Sequence, residues 1–460
     1  MENQLINEFK KIVGDQYVLT SKEELLCYSY DATPGYSHMP DVVISPGNTE
    51  EVSKVLALAN REKIPVYPRG SGTNLSAGTV PMQGGIVLLM TRFQNLIEID
   101  AANLVAVAEP GVIVSVLNKA VEEFGLIYPP DPGTVATATL GGTVSENAGG
   151  LRGLKYGVSK HYVMGLEVVL ADGRVMNCGG KNVKDVAGYD LTKLFTGSEG
   201  TLGVITKIIV KLVPAPETRK AMMGIFSNLD NAGSAISAII ANKVIPATLE
   251  IMDNATIRTV EDYAHVGLPV NAEAVLLIEV DGIPEVVEKE AAKVIEVLMA
   301  NKADDIQVAK DAAQRDKIWA ARRAALPALA KLRPTTFVED ATVPRSKVPD
   351  MIRAVNDAAA KHKVTIGTFG HAGDGNMHPT IVCDLRDKEE MERVYKAMND
   401  IFGAAIALGG TLSGEHGIGL GKLPYMEDQF GAVGMSVMKA IKKALDPNCI
   451  LNPGKLVGEC

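Results

Sequence analysis

The first half of the chain alternates short apolar runs with glycine-rich segments. Residues 41–44 and 64–67 are apolar runs of strand length. Between them, Val52, Val55 and Leu56 recur at the spacing of one helix face. The pattern predicts a strand–helix–strand unit whose second strand leads directly into a glycine-rich loop.

That loop, PRGSGTNLSAG at residues 68–78, is suited to binding a ligand through its main chain. Gly70 and Gly72 lack Cβ atoms, so the backbone there can turn with positive φ and its N–H groups can converge. Converging amides form a nest for an anion such as a diphosphate, and Arg69 could add positive charge. The dinucleotide fingerprint does not fit, because Leu75 stands where a third glycine is needed, and the P-loop ending is missing. An ordinary glycine-rich turn is the alternative.

Composition narrows the possible partners. A chain of 460 residues predicts two or three domains. A net charge of −9 without a long basic run argues against nucleic acid. The five cysteines show no CxxC spacing, so no iron–sulfur site is expected, and Cys460 is expected to be inert. With no signal sequence pattern and no apolar run of membrane-spanning length, we expect a soluble cytoplasmic protein.

From Lys220 the pattern changes to strands that alternate with helices. Such alternation with short links predicts an antiparallel sheet with helices on one side. Earlier, the glycine-rich residues 140–150 are expected to make a poor helix and to wrap a flat ligand. The predicted strands of the second half lie at residues 222–226, 249–252, 274–280 and 306–309.

Three of the seven histidines lie in two glycine-rich stretches of the second half. A predicted hairpin with the turn GDGN lets His371 and His378 face one another. A later stretch, GGTLSGEHGIG, carries Glu415 and His416. Two imidazoles and one carboxylate are a divalent-metal set with open positions. Histidines in turns are often only hydrogen-bonded, so this alternative stays open.

Seven motifs occur in order: PRGSGT, PPDPGT, GGTVSENAGG, YG, VVLADG, GYDLT and GSEGTLGVIT. Together they resemble the PCMH-type FAD-binding domain of the vanillyl-alcohol-oxidase flavoproteins. Within that superfamily, the chain is similar to the branch of D-lactate dehydrogenases, the glycolate oxidase D subunit and D-2-hydroxyglutarate dehydrogenases. The resemblance implies an α+β fold, with a two-subdomain FAD-binding domain and a cap domain whose antiparallel sheet is covered by helices. The implied domains are 1–216 for FAD, 217–420 for the cap with substrate and metal, and 421–460 for a segment returning to the FAD domain.

The resemblance also implies the cofactor contacts. FAD is expected to bind non-covalently, because Thr73 stands where a tethering histidine would be expected. The residues implied to hold FAD are Arg69, Gly70, Ser71, Gly72, Thr73, Asn74, Pro132, Gly141, Gly142, Ser145, Asn147, Gly150, Glu199, Gly200, Gly203, Ile205 and Asn452.

The resemblance also implies roles for Arg322 and for the residues of the two glycine-rich stretches that carry histidines. His371, His378 and Glu415 would bind zinc, iron or manganese, and His416 would act as the base. Arg322 matches the arginine that grips the substrate carboxylate, although a solvated helix face is the alternative. The implied reaction is oxidation of a small D-2-hydroxy acid by hydride transfer to flavin, D-lactate to pyruvate first and glycolate second.

The chain offers no iron–sulfur or haem site, so electrons are expected to pass to a partner redox protein. An electron-transferring flavoprotein or an iron–sulfur subunit would serve. Two other classes compete with this reading: a flavin electron-transfer subunit without its own substrate, and a metal hydrolase built on the histidine motifs. The first predicts a yellow protein that no 2-hydroxy acid bleaches, and the second predicts a colourless one.

Overall fold

The computed structural model describes residues 1–459 and divides the chain into two compact units. The first unit comprises residues 1–149, 158–215 and 415 onward. The second unit comprises residues 150–157 and 216–414. Residues 150–157, which the sequence analysis assigned to the FAD-binding domain, thus belong to the second unit. Cys460 lies outside the described residues.

The structure is mixed, with helices and strands in both units. The helices are α1 (Asn3–Val13), α2 (Lys22–Leu26), α3 (Thr49–Glu62), α4 (Val114–Glu122), α5 (Leu140–Glu146), α6 (Gly153–Tyr156), α7 (Leu191–Phe195), α8 (Leu229–Ala241), α9 (Asn254–Ala264), α10 (Pro284–Ala300), α11 (Ala312–Leu332), α12 (Val348–His362), α13 (Lys388–Ala407) and α14 (Met426–Leu445). Single-turn 3-10 helices lie at Asp15–Tyr17, Met90–Arg92, Ser159–His161, Arg345–Lys347 and Leu423–Tyr425.

The strands of the first unit are β1 (Val18–Leu19), β2 (Val42–Ile44), β3 (Val66–Arg69), β4 (Ile86–Leu89), β5 (Leu96–Asp100), β6 (Val105–Ala108), β7 (Leu126–Ile127), β8 (Val163–Val169), β9 (Val175–Gly179), β10 (Val204–Lys211) and β11 (Val213–Pro214). Those of the second unit are β12 (Thr218–Phe226), β13 (Thr248–Asp253), β14 (Ala274–Gly282), β15 (Asp305–Val308), β16 (Thr335–Val338), β17 (Ala341–Thr342), β18 (Thr365–His371) and β19 (Asn376–Cys383).

The first unit contains two larger sheets, as the two-subdomain prediction requires. One has the order β1-β2-β4-β3, in which β2 and β3 run parallel to β4. Parallel neighbours need a crossover, and α3 is the helix that joins β2 to β3. The other is the antiparallel sheet β5-β6-β10-β8-β9. Near the end of the chain, Leu451 forms a parallel bridge with Val66 of β3.

The second unit is built on one antiparallel sheet in the order β15-β12-β14-β13-β18-β19-β16, with β17 beside β19. Every residue of β13 and all but the last of β14 are buried. Met223 and Ile225 of β12 share a buried cluster with Trp319 of α11, whereas a Cβ atom on the intervening Gly224 would lie 3.2 Å from Leu298 of α10. Because successive strand residues point to opposite faces, helices cover both faces of the sheet. The expectation of helices on one side only was therefore wrong, whereas the α+β class and the helix-covered antiparallel sheet are confirmed.

One local expectation was also wrong. Residues 140–146 form the helix α5 despite two glycines, because Thr139 caps it by accepting a hydrogen bond from Gly142 N at 3.2 Å.

Within residues 1–459, none of the helices combines the length and the apolar character that crossing a bilayer requires.

Candidate functional site

The loop after β3 exposes a run of backbone donors. Within residues 1–459, the N–H groups of residues 71–76 make no hydrogen bond to the protein. Folded chains pair the great majority of their backbone donors with protein or water. Six consecutive N–H groups without a protein acceptor fit an anionic ligand such as the diphosphate of a dinucleotide. The N–H groups of this loop therefore fit the diphosphate of the expected FAD.

Hydrogen bonds of polar side chains, rather than secondary structure, stabilise the loop. Arg69 is buried and donates from Nη1 to Thr79 Oγ1 at 3.1 Å. Asp31 accepts from the backbone N–H of Thr79 at 3.2 Å, and Asn74 Oδ1 accepts from Gly78 N at 2.8 Å. Burial lowers the pKa of Arg69, and Asp31 opposes that shift. Arg69 therefore acts on the shape of the loop as well as on its charge.

The end of the chain supplies a second support that sequence reasoning missed in part. Asn452 donates from Nδ2 to Gly78 O at 2.9 Å and to Glu199 O at 2.7 Å. Lys455 is buried and donates from Nζ to Gly78 O at 2.9 Å and to Val80 O at 2.6 Å. Asn452 Oδ1 is buried and has no hydrogen-bond partner among the described residues. The tail thus offers an unused acceptor beside the loop.

Two carboxyl groups approach each other next to Gly417. A Cβ atom built on Gly417 would overlap Glu146 Oε2 and lie 3.0 Å from Glu199 Oε1. Glu199 accepts hydrogen bonds from the N–H groups of Ile418 and Gly419, each at 2.7 Å. Burial and the neighbouring Glu199 raise the pKa of Glu146 well above its ordinary value, which favours a protonated group. Glu146 Oε2 has no partner among the described residues, so it is a further polar atom available to a ligand.

Several glycines of the expected cofactor set have a packing reason of their own. A Cβ atom on Gly70 would overlap Thr139 Oγ1, one on Gly141 would overlap Pro110, and one on Gly203 would overlap Val168. The motif glycines therefore also report close packing within the first unit.

The other residues of the expected cofactor set divide between the units. All belong to the first unit except Gly150, which lies in the second unit. Those of the first unit are Ser71, Gly72, Thr73, Pro132, Gly142, Ser145, Asn147, Gly200 and Ile205.

In the second unit, β18 and β19 pair as the predicted hairpin and bring two histidines together. Phe369 is paired with His378, so His371 lies diagonally across on the same face. The rings of His371 and His378 are perpendicular, with centroids 5.1 Å apart. The expectation that these two side chains meet across the hairpin agrees with this geometry.

Each histidine ring has one nitrogen held by a protein acceptor. His371 Nδ1 lies 2.7 Å from Glu250 Oε1, and His378 Nδ1 lies 3.3 Å from Glu339 O. A neutral imidazole that donates from Nδ1 carries its lone pair on Nε2, which is the form that ligates a metal. Both side chains are buried. The donor set therefore fits a divalent cation.

Arg322 is joined to this pair through Glu250. Arg322 Nε donates to Glu250 Oε2 at 2.7 Å, and its guanidinium carbon lies 4.5 Å from the centre of the Phe369 ring. The Arg322 side chain is 11% exposed, so the solvated-helix alternative does not hold. Burial alone would raise the pKa of Glu250, but His371 and Arg322 together hold it below its ordinary value.

The strand ends around this pair carry further polar groups. Asp340 is fully buried and accepts a hydrogen bond from Ser413 Oγ. Asp340 Oδ1 lies 4.0 Å from His378 Nδ1. Gly414 packs against Thr342 and Asn376, where a Cβ atom would overlap both side chains. The chain therefore reaches residue 414 in a fixed conformation.

Glu415 and His416 follow Gly414 directly and belong to the first unit. His416 Nε2 lies 3.8 Å from Glu415 Oε1. A Cβ atom on Gly149 would lie 2.8 Å from Glu415 Oε2.

Sequence reasoning missed Glu250, Lys455 and Glu146. Each carries an ionisable side chain among apolar or small neighbours in the sequence, and that contrast is the one signal that could have found them. A buried carboxylate or ammonium is retained only where it is paired, hydrogen-bonded or neutralised.

Comparisons with known proteins place both halves of the chain among FAD-linked proteins. Residues 40–179 match the family described as FAD binding domain, and residues 215–456 match FAD linked oxidases, C-terminal domain. The chain is 54% identical over 446 residues to the glycolate oxidase subunit GlcD of Bacillus subtilis, covering 97% of this chain and 95% of the relative. It is 39% identical over 418 residues to a D-lactate dehydrogenase of Archaeoglobus fulgidus, covering 90% and 91%. A p-cresol methylhydroxylase structure with substrate bound shares the fold, with a TM-score of 0.82, 20% identity and coverage of 99% and 97%.

Proposed function

The chain belongs to the family of FAD-linked oxidases, and from that premise we propose that it oxidises a small 2-hydroxy acid with FAD and a divalent metal ion. The comparisons support an FAD-linked oxidoreductase of the glycolate oxidase subunit and D-lactate dehydrogenase type. The observation that carries the proposal of a 2-hydroxy-acid substrate is the arrangement on one sheet face of the second unit. There the Phe369 ring lies 4.5 Å from the Arg322 guanidinium carbon and 5.7 Å from the His378 ring.

The proposed division of labour follows from the chemistry of each group. Arg322 keeps two Nη groups for a carboxylate once its Nε is bound to Glu250, and a planar fork suits that partner. His371, His378 and Glu415 would hold the metal, which supplies Lewis acidity at the substrate hydroxyl. His416 takes the hydroxyl proton.

The chemistry that FAD would supply when bound is acceptance of a hydride from the substrate carbon. The backbone donors of residues 71–76 would hold its diphosphate non-covalently. The acceptor of Asn452 and the carboxyl group of Glu146 would meet polar groups elsewhere on the cofactor. The remaining residues of the expected set, from Pro132 to Ile205, are proposed to line it.

The choice of acid rests on charge and on the comparisons. Asp340, which lies 4.0 Å from His378, and its neighbour Glu339 are buried acidic residues, so a second carboxylate on the substrate is disfavoured. Glycolate and D-lactate remain as the two candidates. The relative at 54% identity is a glycolate oxidase subunit, which moves glycolate ahead of D-lactate.

The reduced protein needs an electron acceptor. The relative's description as a subunit supports a partner redox protein for this chain. An iron–sulfur subunit or an electron-transferring flavoprotein would fill that role. The alternative of a flavin subunit without its own substrate predicts no reaction with any 2-hydroxy acid.

The test is anaerobic mixing of the purified yellow protein with glycolate, D-lactate, L-lactate and D-2-hydroxyglutarate, followed by flavin absorbance. Bleaching by glycolate or D-lactate, and its loss after metal removal by a chelator, supports the proposal. Bleaching that survives complete metal removal would refute the metal requirement. A protein bleached by none of the four acids would be the electron-transfer subunit instead.

A matched pair of variants tests the carboxylate partner. Arg322→Lys loses the planar guanidinium that can bind a carboxylate through two hydrogen bonds. Loss of one charged hydrogen bond costs roughly 1.5–3 kcal/mol, so KM is expected to rise by about 10–100-fold. Arg323→Lys changes the next residue, which is exposed, and should leave KM unchanged. Equal KM values for the two variants would remove Arg322 from the proposal.

A further inference from the structure

We propose that Glu250 is a positioning residue that fixes the carboxylate-binding arginine and a metal-ligating histidine relative to each other. The inference rests on the proposed function and adds a residue that no sequence motif marks. It concerns how the second unit presents Arg322 and His371 to the substrate, not a further catalytic step.

Glu250 lies in the middle of β13 and is completely buried. Its two oxygens serve different partners: Oε1 lies 2.7 Å from His371 Nδ1, and Oε2 lies 2.7 Å from Arg322 Nε. A buried carboxylate needs charged or hydrogen-bonded partners on both oxygens to offset its desolvation. Here both oxygens are used, one on a neighbouring strand and one on a helix.

The strand register explains why these groups meet. Ile251 is paired with Gly370, so Glu250 and His371 occupy the next cross-strand position on β13 and β18. Arg322 comes from α11, 72 residues from Glu250 in the sequence. Glu250 therefore couples the sheet to the helix at the point where both carry functional side chains.

Each contact determines what its partner can do. A proton on His371 Nδ1, held by Glu250, leaves the lone pair on Nε2 for a metal. The bond to Arg322 Nε fixes the plane of the guanidinium and leaves the two Nη groups for a carboxylate. A side chain that merely filled the core would need neither contact.

The second unit contains a matched comparison. Glu279 is also a buried carboxylate on the adjacent strand β14, and it accepts a hydrogen bond from Trp319 Nε1 of α11 at 2.8 Å. Trp319 precedes Arg322 by one helical turn. Glu279 thus anchors the same helix to the same sheet without touching either functional side chain.

The experiment compares Glu250→Gln with Glu279→Gln in the full chain with FAD bound. The readouts are the Co²⁺ affinity from its visible absorbance, the KM and kcat for the acid that bleaches the flavin, and the fluorescence of Trp319. Glu250→Gln is expected to weaken Co²⁺ binding by about 10–100-fold, the usual effect of removing a partner behind a metal ligand. It should also raise KM, whereas Glu279→Gln should leave both values at the wild-type level.

A second variant guards against a fold defect. Glu250→Asp keeps the charge but withdraws the carboxylate by one methylene, so Co²⁺ affinity and KM should change in the same directions with Trp319 fluorescence intact. If Glu250→Gln and Glu250→Asp both match the wild type in Co²⁺ affinity and KM, the positioning role is refuted and the proposed function stands. If the wild type neither binds Co²⁺ nor reacts with any 2-hydroxy acid, the proposed function fails and the positioning role fails with it.

Discussion

Replacing Gly70 by alanine would place a methyl group against the residue that caps α5. A Cβ atom on Gly70 would overlap Thr139 Oγ1 and lie 3.4 Å from both Cβ and Cγ2 of that side chain. Gly70 is not among the glycines with positive φ, so alanine meets no backbone strain there. The perturbation is therefore one contact between the donor-rich loop and the start of α5.

The expected cost follows from two opposing terms. Forcing a methyl group into a packed contact costs about 1–3 kcal/mol, while replacing glycine where φ is permitted returns about 0.4–1 kcal/mol through the unfolded chain. We expect a net loss of roughly 1–2 kcal/mol for Gly70→Ala. Thr139→Ala alone removes the N-cap bond to Gly142 and should cost about 1 kcal/mol.

The decisive measurement is the free energy of unfolding of the double variant Gly70→Ala with Thr139→Ala. Alanine at position 139 has no Oγ1, so the methyl group at position 70 gains the space it lacks in the single variant. The double variant should cost no more than Thr139→Ala, which gives a coupling of roughly 1–2 kcal/mol in favour of the pair. Urea unfolding followed by flavin fluorescence, together with the Kd for FAD, measures both terms.

The Kd for FAD should rise about tenfold in Gly70→Ala, equivalent to 1.4 kcal/mol, and should recover in the double variant. Gly133→Ala is the control, because a Cβ atom there meets nothing within 4 Å. Additive free energies in the Gly70–Thr139 cycle, or an unchanged Kd in Gly70→Ala, would refute the reasoning that this contact shapes the loop.

Two more predictions concern buried charges. Burial lowers the pKa of Lys455 to about 7 from 10.5, so the folded apoprotein binds fewer protons than the unfolded chain between those values. The free energy of unfolding therefore rises with pH between about 7 and 10.5, and the contribution of Lys455 is lost as the pH falls to about 7. Lys455→Met should flatten this dependence on pH in urea unfolding. An unchanged dependence would contradict the prediction. In the second unit, Asp281 binds Lys155 Nζ and accepts from Tyr156 OH at 2.8 Å. Asp281→Asn should cost about 2 kcal/mol in urea unfolding followed by Trp319 fluorescence, and an unshifted midpoint would argue against this anchor.

The elements that could be predicted from the sequence are those with a strong local pattern. The helix face of Val52, Val55 and Leu56 is buried in α3, which begins after the N-cap Asn48. The hairpin of β18 and β19 forms as predicted, with its turn close to the predicted one. In these cases local propensity and the tertiary structure agree, so the pattern is sufficient.

The parts that could not be predicted depend on distant partners. Glu250 and His371 are 121 residues apart, and no periodicity announces their contact. The glycine-rich residues 140–146 became a helix because Thr139 caps it and the first unit packs around it, which overrides a weak propensity. Residues 150–157 belong to the second unit through Lys155, Tyr156 and Asp281, none of which lies in a motif that marks a domain boundary.

One face of the central sheet shows why the charged strand residues matter. Thr248 of β13 is paired with Glu279 of β14, so Glu250, Glu279 and Asp281 all point to the same face. Each holds a different partner: Glu250 holds His371 and Arg322, Glu279 holds Trp319, and Asp281 holds residues 150–157. A one-residue slip of either strand would turn the carboxylates of that strand to the other face. Charge on these strands therefore specifies where α11 and the segment 150–157 attach, and with them the position of the proposed substrate-binding arginine.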